Sequence, residues 1–309
     1  MSPKPPTRQS AGLSYDPAQN VAVLFGGYND SDFQRDTWEY NPVTNTWTQI
    51  TPPTSPPMMV DYALVYHASA ARHILYGQNL ATGNFETWAY DASADTWANR
   101  APSNSMSSRS GFATAYHPGR DRTVLFGGSF LMTLLAETWE YNYGANSWTQ
   151  ISASGPSARA SHSMTYRSSW NAVVLFGGTT GSGASQETWK YSGVGTWEIQ
   201  NSITKPPARR YAALAHDTEN DVTILYGGTD GGGSRLMDTW SLGSAYRAAG
   251  KYSSPTFDAG GSAIWGALWW NKSTQPPLTF LRFQVATSSS PTGPWSYIGP
   301  DGTVTTYYN

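Results

Sequence analysis

Residues Val21–Ile50 read VAVLFGGYNDSDFQRDTWEYNPVTNTWTQI, and four further copies of the same order follow. An apolar run closes on a glycine pair at Gly26-Gly27, Gly127-Gly128, Gly177-Gly178 and Gly227-Gly228, with a degenerate copy at Gly77-Gln78. The first glycines are 51, 50, 50 and 50 residues apart. An acid-threonine-tryptophan triplet comes next, with acids Asp36, Glu86, Glu137, Glu187 and Asp238 and tryptophans Trp38, Trp88, Trp139, Trp189 and Trp240. A second tryptophan closes the first four copies at Trp47, Trp97, Trp148 and Trp197; the fifth has none. Self-similarity at such a period means that one supersecondary unit is stacked several times.

Each copy reads as four strands. In the first they fall at about Ser10–Asp16, Val21–Gly27, Thr37–Asn41 and Thr46–Ile50. Within TWEY, Trp38 and Tyr40 point to one side and Thr37 and Glu39 to the other, the period of a strand. Asp16-Pro17, Asn41-Pro42 and His117-Pro118-Gly119 supply the turns. No helical periodicity appears. The expectation is an all-β chain whose small sheets stand around a central axis as the blades of a propeller, with buried tryptophans between them.

The glycine pair and the two spaced tryptophans together resemble the kelch repeat, over about residues 8–242. The resemblance implies a kelch-type propeller, as in the central domain of galactose oxidase and in many non-enzymatic binding proteins. Blades are expected at about 8–50, 59–99, 109–151, 159–200 and 209–242, within a propeller domain of 1–245. Kelch propellers more often have six or seven blades, and Ser2–Arg8 resembles the linker before every other copy. A closed five-blade ring and a piece of a larger propeller both remain open. Residues 246–309 read as a short β-rich segment. It resembles the start of a β-sandwich module of microbial surface proteins, and breaking off in mid-pattern at Asn309 it is expected to be truncated. A completed fifth blade or an irregular sixth is the alternative.

Composition narrows the function. Net charge is −2, so no basic field for nucleic acid or anionic lipid is expected. No apolar run approaches a membrane span, so no membrane insertion is expected. Charged residues are only 13% and aromatics 14%, which excludes a disordered chain. The same balance resembles secreted or cell-surface proteins of microbes, although Met1–Pro5 carry no apolar core of a secretion signal. Cys is 0, which removes disulfides, thiolate metal sites and cysteine nucleophiles. It also removes the tyrosine–cysteine copper-radical cofactor that the resemblance to galactose oxidase would imply. The sialidase box S-x-D-x-G-x-T-W is absent. No histidine pair has metal-ligand spacing. Neither a cofactor nor a metal is expected, and no catalytic residue is singled out.

Strand parity places the loops after the glycine pairs and the linkers between blades on one face, where a ligand is expected. Arg8, Arg109, Arg159 and Arg209 recur 28, 28, 28 and 29 residues before the acids, on that face. Two roles are open: a repeated ion pair reaching across the side-chain-free glycines, or a basic collar holding an anionic ligand such as an acidic sugar. Copy two has Met59 there, leaving Glu86 without its arginine. The loop Ser129–Ala136 is apolar where its counterparts are polar, so Phe130, Leu131, Met132, Leu134 and Leu135 are expected to contact a partner or another domain. The leading expectation is a non-catalytic binding or scaffolding module for a protein or carbohydrate ligand. A carbohydrate-active enzyme, lyase or hydrolase, with its site at the channel mouth is the alternative.

Overall fold

The computed structural model describes residues 3–242, apart from 105, 194 and 203, and two short strands further on, Val285–Thr287 and Ser296–Ile298, which pair antiparallel. The chain divides into two compact units, Met1–Ala248 and Ala249–Asn309. The sandwich or sixth blade expected in the second unit lies outside the described residues, those two strands apart.

In the first unit each repeat is one antiparallel sheet. Blade one comprises Gly12–Asp16, Val21–Tyr28, Phe33–Asn41 and Thr46–Ile50. Blade two comprises Met59–His67, Arg72–Asn79, Phe85–Asp91 and Thr96–Asn99. Blade three comprises Ala113–His117, Arg122–Phe126, Thr138–Asn142 and Ser147–Ile151. Blade four comprises Ser163–Arg167, Ala172–Phe176, Thr188–Tyr191 and Trp197–Gln200. Among the described residues blade five has three strands, Ala213–Asp217, Val222–Tyr226 and Thr239–Leu242. Inner strands of successive blades contact one another, from Gly12–Asp16 round to Ala213–Asp217.

Two boundaries differ from expectation. The first strand starts at Gly12, not Ser10, because Ser10 takes φ 57, a left-handed kink that leaves the ladder. The third strand starts at Phe33, because the post-glycine loop pairs back on Val21–Tyr28 as far as Tyr28↔Phe33. Helical structure among the described residues is limited to three single 3-10 turns after inner strands, each closed by a left-handed residue: Ala71, Asp121 and Asn171.

The core lies between blades. In the second strand, alternate residues face opposite neighbours: Val23 and Phe25 lie against blade two, and Leu75, Tyr90 and Trp97 of blade two meet them. Equivalent clusters join blades two and three around Ile74, Tyr76, Leu125, Tyr141 and Trp148, and blades three and four around Val124, Phe126, Leu175, Tyr191 and Trp197. The closing tryptophans of blades two to four also donate their indole N–H to the preceding blade's threonine: Trp97 to Thr37 at 2.9 Å, Trp148 to Thr87 at 3.1 Å and Trp197 to Thr138 at 2.9 Å. Buried indole N–H groups require such a partner.

Candidate functional site: the channel mouth

The glycine pairs organise this face. The first glycine takes φ +63 to +71 and the second φ +92 to +102, a backbone region that costs glycine little. Close approach adds a second reason. A Cβ at Gly127 or Gly177 would stand 2.5 or 2.6 Å from the carbonyl oxygen of Arg159 or Arg209 in the next blade. The second glycine donates to that same carbonyl, Gly128 to Arg159 and Gly178 to Arg209, both at 2.9 Å.

Beneath the glycines sits a repeated polar unit. Arg8 Nη1 donates to Gly26 O at 2.9 Å and to Asp36 Oδ1 at 2.5 Å, and Nη2 to Asp36 Oδ2 at 2.8 Å. Arg209 does the same to Gly227 and Asp238. Arg109 and Arg159 each reach the glycine carbonyl and one glutamate oxygen, Glu137 at 2.7 Å and Glu187 at 2.5 Å. Each acid also accepts the indole N–H two residues on, from Trp38, Trp139, Trp189 and Trp240, at 2.6–2.9 Å. The i, i+2 spacing places both side chains on one face of the strand. The triplet therefore encodes a second hydrogen bond that the arginine spacing alone did not reveal. Burial pushes the Asp36, Glu137 and Glu187 carboxyls up, but the arginine and indole donors outweigh it, and all three end below the ordinary carboxylate range. At Asp238 the Arg209 hydrogen bond leads and the shift is strongly downward.

The four arginine side chains are 0–5% exposed. None of these four guanidiniums is free to form a basic collar; the geometry makes each of them half of an ion pair. Blade two solves the same problem without arginine. Met59 is buried, and Glu86 accepts from Asn79 Nδ2 at 2.8 Å and from Trp88 at 2.7 Å. Pairing here continues past Gly77 to Asn79, with an irregularity between Val60 and Ala63 that lays Tyr62 over Gly77.

A cavity of about 770 Å³ opens above these units. Every blade lines it with the residues just after the arginine position. The second of these has positive φ in all five: Ser10 at 57, Asp61 at 45, Gly111 at 64, Ser161 at 59 and Tyr211 at 57. A non-glycine residue there is strained, a tyrosine most of all. The strain has a structural partner, because the kink turns backbone groups from blade to blade: Ser161 N donates to Gly111 O at 2.6 Å and Tyr211 N to Ser161 O at 2.9 Å. The kinked residues line the mouth together with Tyr28 and Tyr62. Tyr62 donates to Phe25 O at 3.0 Å, and burial pushes its hydroxyl up to about 12. Asp61 is the one carboxylate in the lining, and burial raises it. His162 also lines the cavity and is buried, with neither ring nitrogen partnered by a protein group; burial pushes it down to about 3. Its ring is neutral at pH 7, so it is not an imidazolium acid there. No cluster of His, Asp and Glu with metal-binding geometry occurs among the described residues. The mouth can therefore offer hydroxyl hydrogen bonds and aromatic contact, with no cation.

The residues 2–188 match the family model described as the Attractin/LZTR1 beta-propeller. The chain belongs to that family. Among solved structures it is similar to one titled "Structure of YjhT", at 16% identity and a TM-score of 0.60, over 76% of this chain and 81% of that one. That likeness supports the propeller fold. No curated protein matches the sequence.

Beside the mouth stands the apolar loop. It is a tight hairpin, Ser129–Phe130 paired with Thr133–Leu134, turning on Leu131 and Met132. Leu134 and Leu135 are half-buried, while Phe130, Leu131 and Met132 are 42%, 81% and 98% exposed. Both turn residues take positive φ, 45 and 67, where hairpins favour Asn-Gly. The blade-four hairpin turns instead on Gly181 and Ser182. Leu80 and Met237, on the equivalent loops of blades two and five, are also exposed.

Proposed function

We propose that this chain is a non-catalytic binding module of an extracellular or cell-surface protein, and that it holds a protein partner on the long-loop face. The carrying observation is the Leu131–Met132 tip. It exposes two large apolar side chains in a backbone region that neither favours. Exposure and strain both oppose folding, so an external use accounts for the pair better than packing does. Flexible apolar side chains of this kind serve as anchors that enter a partner's pocket. The propeller fold itself suits a binding or scaffolding role in general. The four repeated arginines are each held by an acid, which takes them out of the charged constellation expected of a lyase or hydrolase.

The test is the double replacement Leu131→Asn with Met132→Gly, the pair that the turn prefers. It should raise the thermal midpoint while abolishing photo-crosslinking to surface proteins from a probe residue at Ala136. Unchanged crosslinking with the stabilised variant would end this reading. The cavity favours one alternative ligand. Hydroxyl groups and tyrosine rings without cations suit a neutral glycan, so a glycan array that retains neutral sugars on the wild-type chain, and loses them on Tyr211→Ala, would shift the proposal to carbohydrate.

A further inference from the structure

Outside the cavity lining, blade five brings two further arginines together. Arg210 follows the paired Arg209, Thr229 follows the glycine pair, and Arg235 lies on the returning arm of the same loop. Arg210 pairs antiparallel with Thr229, and Thr229 with Arg235. Residues directly opposite each other on antiparallel strands share one face. The two arginines therefore flank the Thr229 hydroxyl, their backbones about 10 Å apart, which is two strand spacings. Blade three shows the same placement in its side chains. At the matching positions Ser110 and Ser129 hydrogen-bond to each other at 3.0 Å, and Leu134 is the third residue. Blade four has Ala160, Thr179 and Ala184 there. Neither of these sets carries a charge.

Among the described residues no acid holds Arg210 or Arg235, and neither guanidinium donates a hydrogen bond. Arg210 is half-buried, its Nε is buried without a partner, and its Cζ lies 5.7 Å from the centroid of the Tyr211 ring. Arg235 is exposed. Asp230, next to Thr229 in sequence, gives its Oδ1 to the N–H groups of Gly232 and Ser234 at 2.9 and 2.8 Å and pairs with neither arginine. A buried donor without an acceptor is uncommon and calls for a cause. Two permanent charges on long arms around one hydroxyl match an oxyanion, since each fork can give two N–H groups and the threonine its O–H.

We propose that Arg210, Thr229 and Arg235 bind a carboxylate side chain of a protein partner. The choice of anion rests on the reading of this face as a protein-binding surface, and the surroundings favour it. On the same blade Tyr211 is 67% and Met237 85% exposed. Arginine, tyrosine and methionine together are the composition enriched at protein interfaces, whereas a site for a free inorganic anion needs no apolar surround. The matching segment is acidic, with an apolar residue beside its Asp or Glu.

The test labels the arginines of the full chain with p-hydroxyphenylglyoxal and follows each by mass spectrometry. Arg210 and Arg235 should react readily, while Arg8, Arg109, Arg159 and Arg209, held by their acids, should not. The probe is a capped Asp-Leu-Glu-Leu-Asp peptide at millimolar concentration. It should slow labelling of Arg210 and Arg235 several-fold, leave the exposed Arg35 unchanged, and lose its effect as salt is raised. Arg235→Gln, at an exposed position, should weaken the protection of Arg210 about tenfold, as for one lost charge-assisted hydrogen bond. Absence of protection overturns the proposal, and so does equal protection by the neutral Asn-Leu-Gln-Leu-Asn peptide. Sulfate or phosphate that protects as well as the acidic peptide would overturn it in favour of a free anion. Slow labelling of Arg210 without any probe would also overturn it, since the chain itself would then cover the site. The labelling involves no partner protein, so its failure strikes this site alone; unchanged crosslinking with the Leu131–Met132 variant strikes the partner reading instead.

Discussion

At Glu187 a single side chain takes on two donors, the Arg159 guanidinium and the Trp189 indole. The arginine is fully buried while the acid is 38% exposed, so the cost of removing the acid falls mostly on the arginine left behind. Glu187→Gln should destabilise the chain by about 1–3 kcal/mol, below the figure for a wholly buried pair because water reaches the acid. Glu86 provides the control. Its donors, the Asn79 amide and the Trp88 indole, go to separate oxygens, so glutamine keeps one of the two bonds but strands no charge, and Glu86→Gln should cost about 1 kcal/mol. Urea midpoints of the two variants decide it, and equal losses would remove the arginine from the account.

Between elements, the closing tryptophans divide by neighbour rather than by sequence. Trp148→Phe should cost about 1–3 kcal/mol, because the buried Thr87 hydroxyl loses its donor. Trp47→Phe, in the same sequence position but half-buried and with no threonine to accept its indole, should cost under about 1 kcal/mol. Thermal midpoints of both variants test this, and an equal drop would mean that blade one is covered in solution. The pair also marks the limit of what the repeat makes legible. Glycine pairs, triplets and tryptophans identify the strands and the order of blades because their side chains recur. The left-handed kink at Ser10, Asp61, Gly111, Ser161 and Tyr211 has no residue type in common, since it is held by backbone hydrogen bonds between blades. It was invisible to pattern, although strand parity already placed the face on which the mouth opens. The Asn79 substitute for the missing arginine was hidden likewise, because it comes from the opposite end of the loop. The apolar hairpin, by contrast, stood out in sequence as an anomaly, and the structure adds the strained turn that makes it one.

Across the whole molecule the stability should be asymmetric in pH, because the ionisable groups in the inter-blade core are built for neutral or alkaline conditions. Burial holds His73 down at about 4 and His162 at about 3, against an ordinary 6.5. The unfolded chain therefore takes up protons below pH 6.5 that the folded chain refuses. Each such group removes stability at up to about 1.4 kcal/mol per pH unit until its folded value is passed. The carboxylates extend the slope. Asp36, Glu137 and Glu187 lie below their ordinary 3.8 or 4.5 when folded, so their contribution is intact above pH 4.5 and is lost as pH falls through the lowered values. The thermal midpoint should be level above pH 7, begin to fall near pH 6.5, and keep falling below pH 4.5. His162→Phe, which removes one buried ring without adding a polar group, should make the fall between pH 6.5 and about 3 shallower and leave the carboxylate loss in place. A midpoint that stays level from pH 7 to pH 5 would show that the histidines take up protons in place, and that the packing around His162 opens to water more readily than its burial implies.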